Sequence, residues 1–269
     1  MTYATALFRN AALAAAATLL AAAPALADDA EKRGFEIAQK SDQSDNGFGD
    51  SAVQAKMILR NAAGKSTERE MTFQTLERES ENVGDKSLVV FLSPRDVRST
   101  ALLNHAQILQ SDDQWLYLPA LKRVKRISSS SKSGPFVGSE FAFEDFTAGE
   151  LKKFKYKYIG EGEVRGKKVF IVDRFPLYEN SGYTRQRSYV DQGHYQVRRI
   201  EFFDRKKSKL KTLDFLKLKR YNKKYWRAHT FKMVNHQSGK STDIVYENYK
   251  FGQGLKPSDF DQAKLKQIR

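Results

Sequence analysis

The stretch Asp112 to Phe146 reads DDQWLYLPALKRVKRISSSSKSGPFVGSEFAFEDF. An apolar aromatic run (Trp115, Leu116, Tyr117, Leu118) passes into a basic run (Lys122, Arg123, Lys125, Arg126). A Ser/Gly loop, Ser128 to Gly138, follows. Aromatics then stand beside Glu144 and Asp145. Gln114 to Leu118 has the composition of a strand. Leu121 to Ile127 reads as another strand or a turn of helix, and Ser139 to Phe146 as a short helix. The stretch is a helical interruption in a text that otherwise repeats with period two.

Upstream, Val53 to Leu59 and Thr67 to Glu79 are two strands joined by the turn Asn61-Ala62-Ala63-Gly64-Lys65. Lys86 to Leu92 is nearly all apolar, as a strand covered on both faces would be. Thr100 to Leu109 continues as extended chain. Downstream, Lys152 to Glu161, Lys167 to Pro176, Ser188 to Val190, Gln196 to Asp204, Lys209 to Arg220, Arg227 to Asn235 and Ser241 to Phe251 read as strands between short turns. Phe154, Tyr156 and Tyr158 alternate with Lys153, Lys155 and Lys157, the pattern of a half-buried strand with one wet face. Ahead of all of them, Asp28 to Ser41 reads as a helix, with Gly34, Phe35, Ile37 and Ala38 on one stripe. The class is α+β and mainly β: about 10–11 antiparallel strands in meander order, curled around an N-terminal helix and the mid-chain insertion.

The N-terminus sets the compartment. Arg9 precedes an apolar h-region from Ala11 to Ala23, and Ala25-Leu26-Ala27 places small residues where signal peptidase needs them. Residues 1–27 are therefore expected to be a cleaved secretory signal peptide, and 28–269 a single exported domain. The chain has no Cys. That excludes disulfides, a thiol nucleophile, a thiolate metal site and a lipid on an N-terminal cysteine. The formal charge is +15, and the signal would remove only one arginine. Such a field selects anionic partners. Outside the inner membrane those are an anionic membrane surface or envelope polymer rather than nucleic acid.

No catalytic set emerges. Ser129-x-x-Lys132, Ser44-Asp45-Asn46 and Lys132-Ser133-Gly134 imitate the penicillin-recognising motifs. Their order is wrong, however, and one lysine would have to serve twice. His105, His194, His229 and His236 are scattered, with no pair at metal-ligand spacing. Asp42, Asp45 and Asp50 lack the spacing of a calcium loop. Glu144 and Asp145 are adjacent, so they point apart rather than share a proton. No cofactor is implied. What remains is aromatic residues interleaved with lysines and arginines. This pattern suits an apolar concave face for an acyl chain with a basic rim for its head group.

DDQWLYLPALKRVKRI, SSSSKSGPFVGSEFAFEDF, SGYTRQRSYVD and NHQSGKSTDI, with FLSPRDVRSTALL upstream, resemble signature segments of the outer-membrane lipoprotein-sorting protein family. This is a branch of the LolA/LolB-like superfamily. The resemblance covers about 34–265. It implies an incomplete antiparallel β-barrel around helices, with an apolar cavity. It also implies a periplasmic, non-enzymatic carrier of lipids or lipoproteins, paired with an inner-membrane exporter of the RND (MMPL-like) type. The matching segments suggest Trp115, Tyr117, Phe136 and Phe141 as ligand-binding candidates, with Glu144 and Asp145 as further positions of interest; Phe154, Tyr156 and Tyr158 join them from the aromatic–basic alternation of their strand. Lys122, Arg123, Lys125 and Arg126 are the candidates for a head group or membrane at the cavity mouth. Ser128 to Gly138 is expected to be a mobile lid, whose partial excision (Ser129 to Ser133) would leave the melting temperature unchanged. The competing expectation is an adaptor with a filled core that docks through its basic face.

Overall fold

The structure, a computed structural model, describes residues 23–77, 84–147 and 149–268. The expected signal peptide lies outside them except at its end. The expected cleavage point after Ala27 falls inside helix α1, Ala23–Gln43, which starts earlier than the sequence suggests. The strands are β1 (Asp50–Arg60), β2 (Ser66–Leu76), β3 (Lys86–Ser93), β4 (Ala101–His105), β5 (Asp113–Leu118), β6 (Arg123–Arg126), β7 (Phe154–Val164), β8 (Lys167–Pro176), β9 (Arg185–Asp191), β10 (Val197–Phe203), β11 (Lys209–Tyr221), β12 (Tyr225–Asn235) and β13 (Ser241–Phe251). These 13 exceed the 10–11 expected because two short segments pair after all. One is β4, inside the stretch read as extended chain. The other is β6, inside the stretch left open between strand and helix.

The strands form one antiparallel sheet in the order β6-β5-β4-β3-β2-β1-β13-β12-β11-β10-β9-β8-β7. First and last strands pair at its centre, Ser51 opposite Phe251 and Arg60 opposite Ser241. The ends of the sheet, β6 and β7, are consecutive in sequence but lie at opposite edges, so the barrel is incomplete. The chain between them, residues 127–153, must cross from one edge to the other.

It crosses through the concave side. The main core joins Val53, Ala55 and Met57 of β1, Met71 of β2, Phe91 of β3 and Leu116 of β5 to Ile200, Phe202, Leu213, Met233, Ile244 and Tyr246 of the other wing. Phe136 and Phe141 of the crossing segment lie between the wings, almost fully buried. A twisted sheet this wide curls, and the crossing segment fills part of the resulting hollow. The expected short helix is not there. Two 3-10 turns, Phe136–Gly138 and Phe143–Phe146, take its place. So short a helix is not self-supporting, and here the backbone bonds to the surrounding strands instead. The Gln114 side chain donates to the Phe143 carbonyl at 2.9 Å, Arg69 to the Val137 carbonyl, and the Glu140 amide donates to Thr242 at 3.0 Å. Val137 is held at φ 46°, unusual for a β-branched residue.

The convex side of β3–β5 is covered by the C-terminal turns. Phe260 and Leu265 pack on Ala101, Leu103 and Tyr117. Asp50 anchors the return, accepting from the amides of Gln253 (2.6 Å), Gly254 (2.9 Å) and Leu255 (3.2 Å). On β8–β11 the charges of neighbouring strands interlock: Asp173 with Arg185 and Arg187, Asp191 with Arg198, and Asp214 with Arg199, joined by Arg165 from the turn between β7 and β8. Five arginines of this wing are thus matched locally.

Helix α1 closes the other edge. Gly34 and Ile37 are buried, while Phe35 lies outside the stripe at 40% exposure. The reason is backbone contact. A Cβ on Gly34 would meet the Tyr158 amide nitrogen of β7 at 2.7 Å, so the helix sets its glycine against the β7 backbone and Phe35 only edge-on to Tyr156. Gly34→Ala is expected to cost about 1–3 kcal/mol by overpacking, read as a lower urea midpoint with the helical signal retained. An unchanged midpoint would show that α1 does not sit on β7.

Candidate functional site

The hollow left beside the crossing segment is a lumen of two chambers. The outer one, about 380 Å³, is walled by Ala38 of α1, Phe48 of the following loop, Val172, Val190, Val197, Leu218, Ala228 and Tyr249. The inner one, about 180 Å³, is walled by Phe141, Phe146, Phe154, Ile200, Phe202, Leu213, Ile244 and Tyr246. Arg174, Phe215 and Phe231 line both. The outer chamber alone falls in the ~300–1,000 Å³ range usual for small-molecule sites.

The outer end is strapped by the loop after α1. The Gly47 and Gly49 amides donate to the Glu77 carboxylate at 2.5 and 2.7 Å. Tyr225 donates its hydroxyl proton to the Gly47 carbonyl, and Arg227 pairs with Asp45. Phe48 packs edge-on against Tyr225 and Phe251. Burial raises Asp45 above the ordinary aspartate range although Arg227 pulls the other way. Inside, burial pushes Tyr156 up to about 12, so its hydroxyl stays neutral and donates to the Leu151 carbonyl at 3.2 Å.

The crossing segment is pinned at two polar points. Asp112, its carboxylate wholly buried, pairs with Lys153 and accepts from the Gln107 amide at 3.0 Å. Lys132 is buried beside them and donates to the Asp112 carbonyl and to Ser111. Burial lowers Lys132 below the ordinary lysine range. At the second point Lys211 pairs with Asp145 at 2.6 Å, and Asp145 also accepts from Tyr183 at 2.8 Å. Glu144 accepts from the Gly182 amide (2.8 Å), Ser181 (2.9 Å) and Tyr178 (3.3 Å). These bonds correct the mobile-lid expectation. Excising Ser129 to Ser133 would remove Lys132 from the core, so an unchanged melting temperature no longer follows.

Desolvation, and then the Asp145 charge, raise Glu144 above the ordinary glutamate range. The folded state therefore holds this proton where the unfolded chain has lost it. The stability it contributes is complete below the ordinary glutamate value and is lost as pH rises through the raised one. Glu144→Gln is expected to flatten that slope, because Ser181 and Tyr178 can turn from donor to acceptor. Urea midpoints in mildly acidic and mildly alkaline buffer test it. A slope identical to that of the parent would refute the assignment.

The structure divides the expected site residues. Phe136, Phe141, Phe154 and Tyr156 are gathered on the concave side, and all but Phe136 line a chamber. Tyr158 lies on the same face of β7 as Tyr156 but under the Arg33 guanidinium, 3.9 Å from its ring. Trp115 and Tyr117 are not brought to the lumen. On β5 it is Gln114, Leu116 and Leu118 that point inward, so the alternate residues pack outward under the C-terminal turns. Arg123, Lys125 and Arg126 lie exposed on β6, the free edge far from β7, and Lys122 lies exposed just before it. Lys122 and Arg123 border a shallow groove with Asp261 and Lys266, and Arg126 pairs with Asp113. Charged edge residues discourage strand addition, and the lumen mouth is elsewhere. Sequence reasoning missed Arg174, Phe215, Phe231 and Trp226 as wall residues. Period two from Val172 would have placed Arg174 beside it, on the inner face of β8. Three of the four histidines sit in structural bonds, His105 with the Phe260 carbonyl, His229 with Tyr221 and the Tyr246 carbonyl, and His236 with Thr212, while His194 stacks on Trp226. Among the described residues no metal-binding cluster forms.

A family model described as that of an uncharacterized protein matches residues 84–267. A crystal structure of an outer membrane lipoprotein-sorting protein domain from Vibrio parahaemolyticus is 48% identical; the match covers 88% of this chain and 99% of that one, with a TM-score of 0.85. A DUF1329 family protein from Desulfovibrio piger is 28% identical over 88% of this chain and 99% of that one, TM-score 0.82. A LolA superfamily protein from Nitrosomonas europaea shares the fold at 16% identity, over 86% and 98% of the two chains, TM-score 0.67. No curated protein matches. With nearly half its residues identical across an entire solved domain, the chain belongs to the family of that outer membrane lipoprotein-sorting protein domain.

Proposed function

We propose that this protein is a soluble periplasmic carrier that takes an acyl chain of a lipid or lipoprotein into its lumen and shuttles it between envelope membranes. The observation that carries this reading is the two-chambered hollow, its inner chamber walled mainly by Phe, Ile, Leu and Tyr side chains and its outer one mixing Phe, Val, Leu and Tyr with polar groups such as Ser41, Asn46, Ser188 and Gln196, beside a crossing segment that fills only part of the half-barrel. Each methylene buried would contribute ~0.8 kcal/mol. A dozen methylenes thus suffice for firm but reversible binding, which a carrier needs. The sorting role named for the Vibrio domain supports the same reading. Among the described residues no helix is long and apolar enough to cross a membrane. The carrier is non-enzymatic, and an RND-type exporter in the inner membrane is its proposed partner.

Mass spectrometry of organic extracts from protein purified gently out of the periplasm tests it, beside an equally basic control protein. Stoichiometric lipid in this sample alone is the expected result. Lipid-free protein that also takes up no added acyl chain would overturn the carrier reading. It would favour instead an adaptor that docks on an exporter or envelope polymer through the exposed basic edge of β6.

A further inference from the structure

Arg174 is the unexplained charge of the lumen. It stands on β8, one pleat from Val172, and lines both chambers. Protein surrounds it, yet part of its surface remains accessible, and the lumen lies against it. Its Nε donates to Gln186 at 2.8 Å, and its guanidinium carbon lies 4.8 Å from the centre of the Phe154 ring. Neither partner is charged. Among the described residues no carboxylate comes within ion-pairing distance of it, whereas Arg165, Arg185, Arg187, Arg198 and Arg199 on the same wing all have one. The carboxylates around the lumen have other partners, although the Asp145 charge also reaches Arg174. Asp45 pairs with Arg227 and Asp145 with Lys211, and Glu144 is held by three donors. Asp42 and Asp85 have partners of their own.

An enclosed guanidinium without a counter-ion is costly. Its remaining N–H groups match an oxyanion that can accept two bonds at once. We propose that the cargo carries a single negative charge, a long-chain carboxylate being its simplest form, and that Arg174 binds this head group inside the lumen while the chain lies along Phe215 and Phe231. The assignment rests on the carrier reading and narrows it to anionic acyl chains bound head-inward. It moves head-group recognition from the exposed run Lys122 to Arg126 to one enclosed residue. A single arginine matches one charge, so doubly charged heads are disfavoured.

The test is titration of the delipidated full mature chain with hexadecanoate, hexadecanol and hexadecyltrimethylammonium. Trp226 in the outer wall provides an emission signal. Hexadecanoate is expected to bind at least about tenfold tighter than hexadecanol, the range of a charge-assisted bond. Arg174→Gln should abolish that preference, so that hexadecanoate binds no tighter than hexadecanol. Arg174→Lys should restore part of it, which separates loss of charge from loss of fold. Equal binding of acid and alcohol by the parent chain, or a preference that survives Arg174→Gln, would overturn the Arg174 assignment while leaving a carrier. Binding of neither would overturn the carrier reading and the assignment with it.

Discussion

Phe136→Ala is expected to remove about 3–5 kcal/mol of stability, the cost of truncating a fully buried phenylalanine. For a domain of this size that is a fall of roughly 10 °C in melting temperature. The magnitude follows from the position of the ring. Phe136 has no exposed surface, and its ring lies 5.6 Å from Phe91, 5.6 Å from Phe143 and 4.6 Å from Phe146. It is the point where the crossing segment meets β3 of the opposite wing. Its neighbours cannot collapse onto the gap, because Arg69, Gln114 and Thr242 hold the adjacent backbone from three strands. The void would adjoin the inner chamber through Phe146. The variant should therefore admit longer acyl chains even as it unfolds more easily. Denaturant unfolding of apo protein measures the first effect, and chain-length preference in the uptake assay measures the second. A loss below about 1 kcal/mol, as for a surface residue, would mean that the segment leaves the core in solution and acts as a lid.

The strands were legible because the signal for them is local. Phe154, Tyr156 and Tyr158 alternate with lysines in the sequence, and they alternate inward and outward on β7. Lys167–Pro176 and Ser241–Phe251 were bounded to the residue. The short strands β4 and β6 were harder. Four or five residues carry little periodicity, and only their partners hold them in place. Three features of the site were not legible at all. Ser111-Asp112-Asp113 has the composition of an exposed turn, and nothing local says that Asp112 will be covered by a chain returning with Lys132 and Lys153. Ser128 to Gly138 has the composition of a flexible loop, and its fixation comes from strands remote in sequence. Trp115 and Tyr117 were expected at the ligand because they stand in a segment that resembles the family's signature. Which face of β5 they occupy is decided by Gln114, Leu116 and Leu118, and the residues covering the other face come from the end of the chain. In each case the deciding contact is long-range, and composition carries no trace of it.

Asp112→Ala should cost about 3–5 kcal/mol, as expected when one partner of a buried ion pair is removed and the other is left uncompensated. Here the Lys153 side chain, 4% exposed, would lose its only carboxylate among the described residues, and the neighbouring Lys132 would lose a stabilising charge. The dependence on pH distinguishes this from simple loss of packing. Burial already holds Lys132 below the ordinary lysine range, and Asp112 is the largest influence raising it. Without Asp112 the folded value drops further. Between that value and the ordinary one the unfolded chain binds more protons than the folded chain, so stability rises with pH across this window. The deficit of Asp112→Ala should therefore shrink in alkaline buffer, whereas a packing defect would stay constant. The double substitution Asp112→Asn, Lys153→Met should recover much of the loss, because it removes both charges and leaves similar volumes. A cycle of Asp112→Asn, Lys153→Met and the two together that showed no coupling would dismantle the claim that this pair fastens the crossing segment to the sheet.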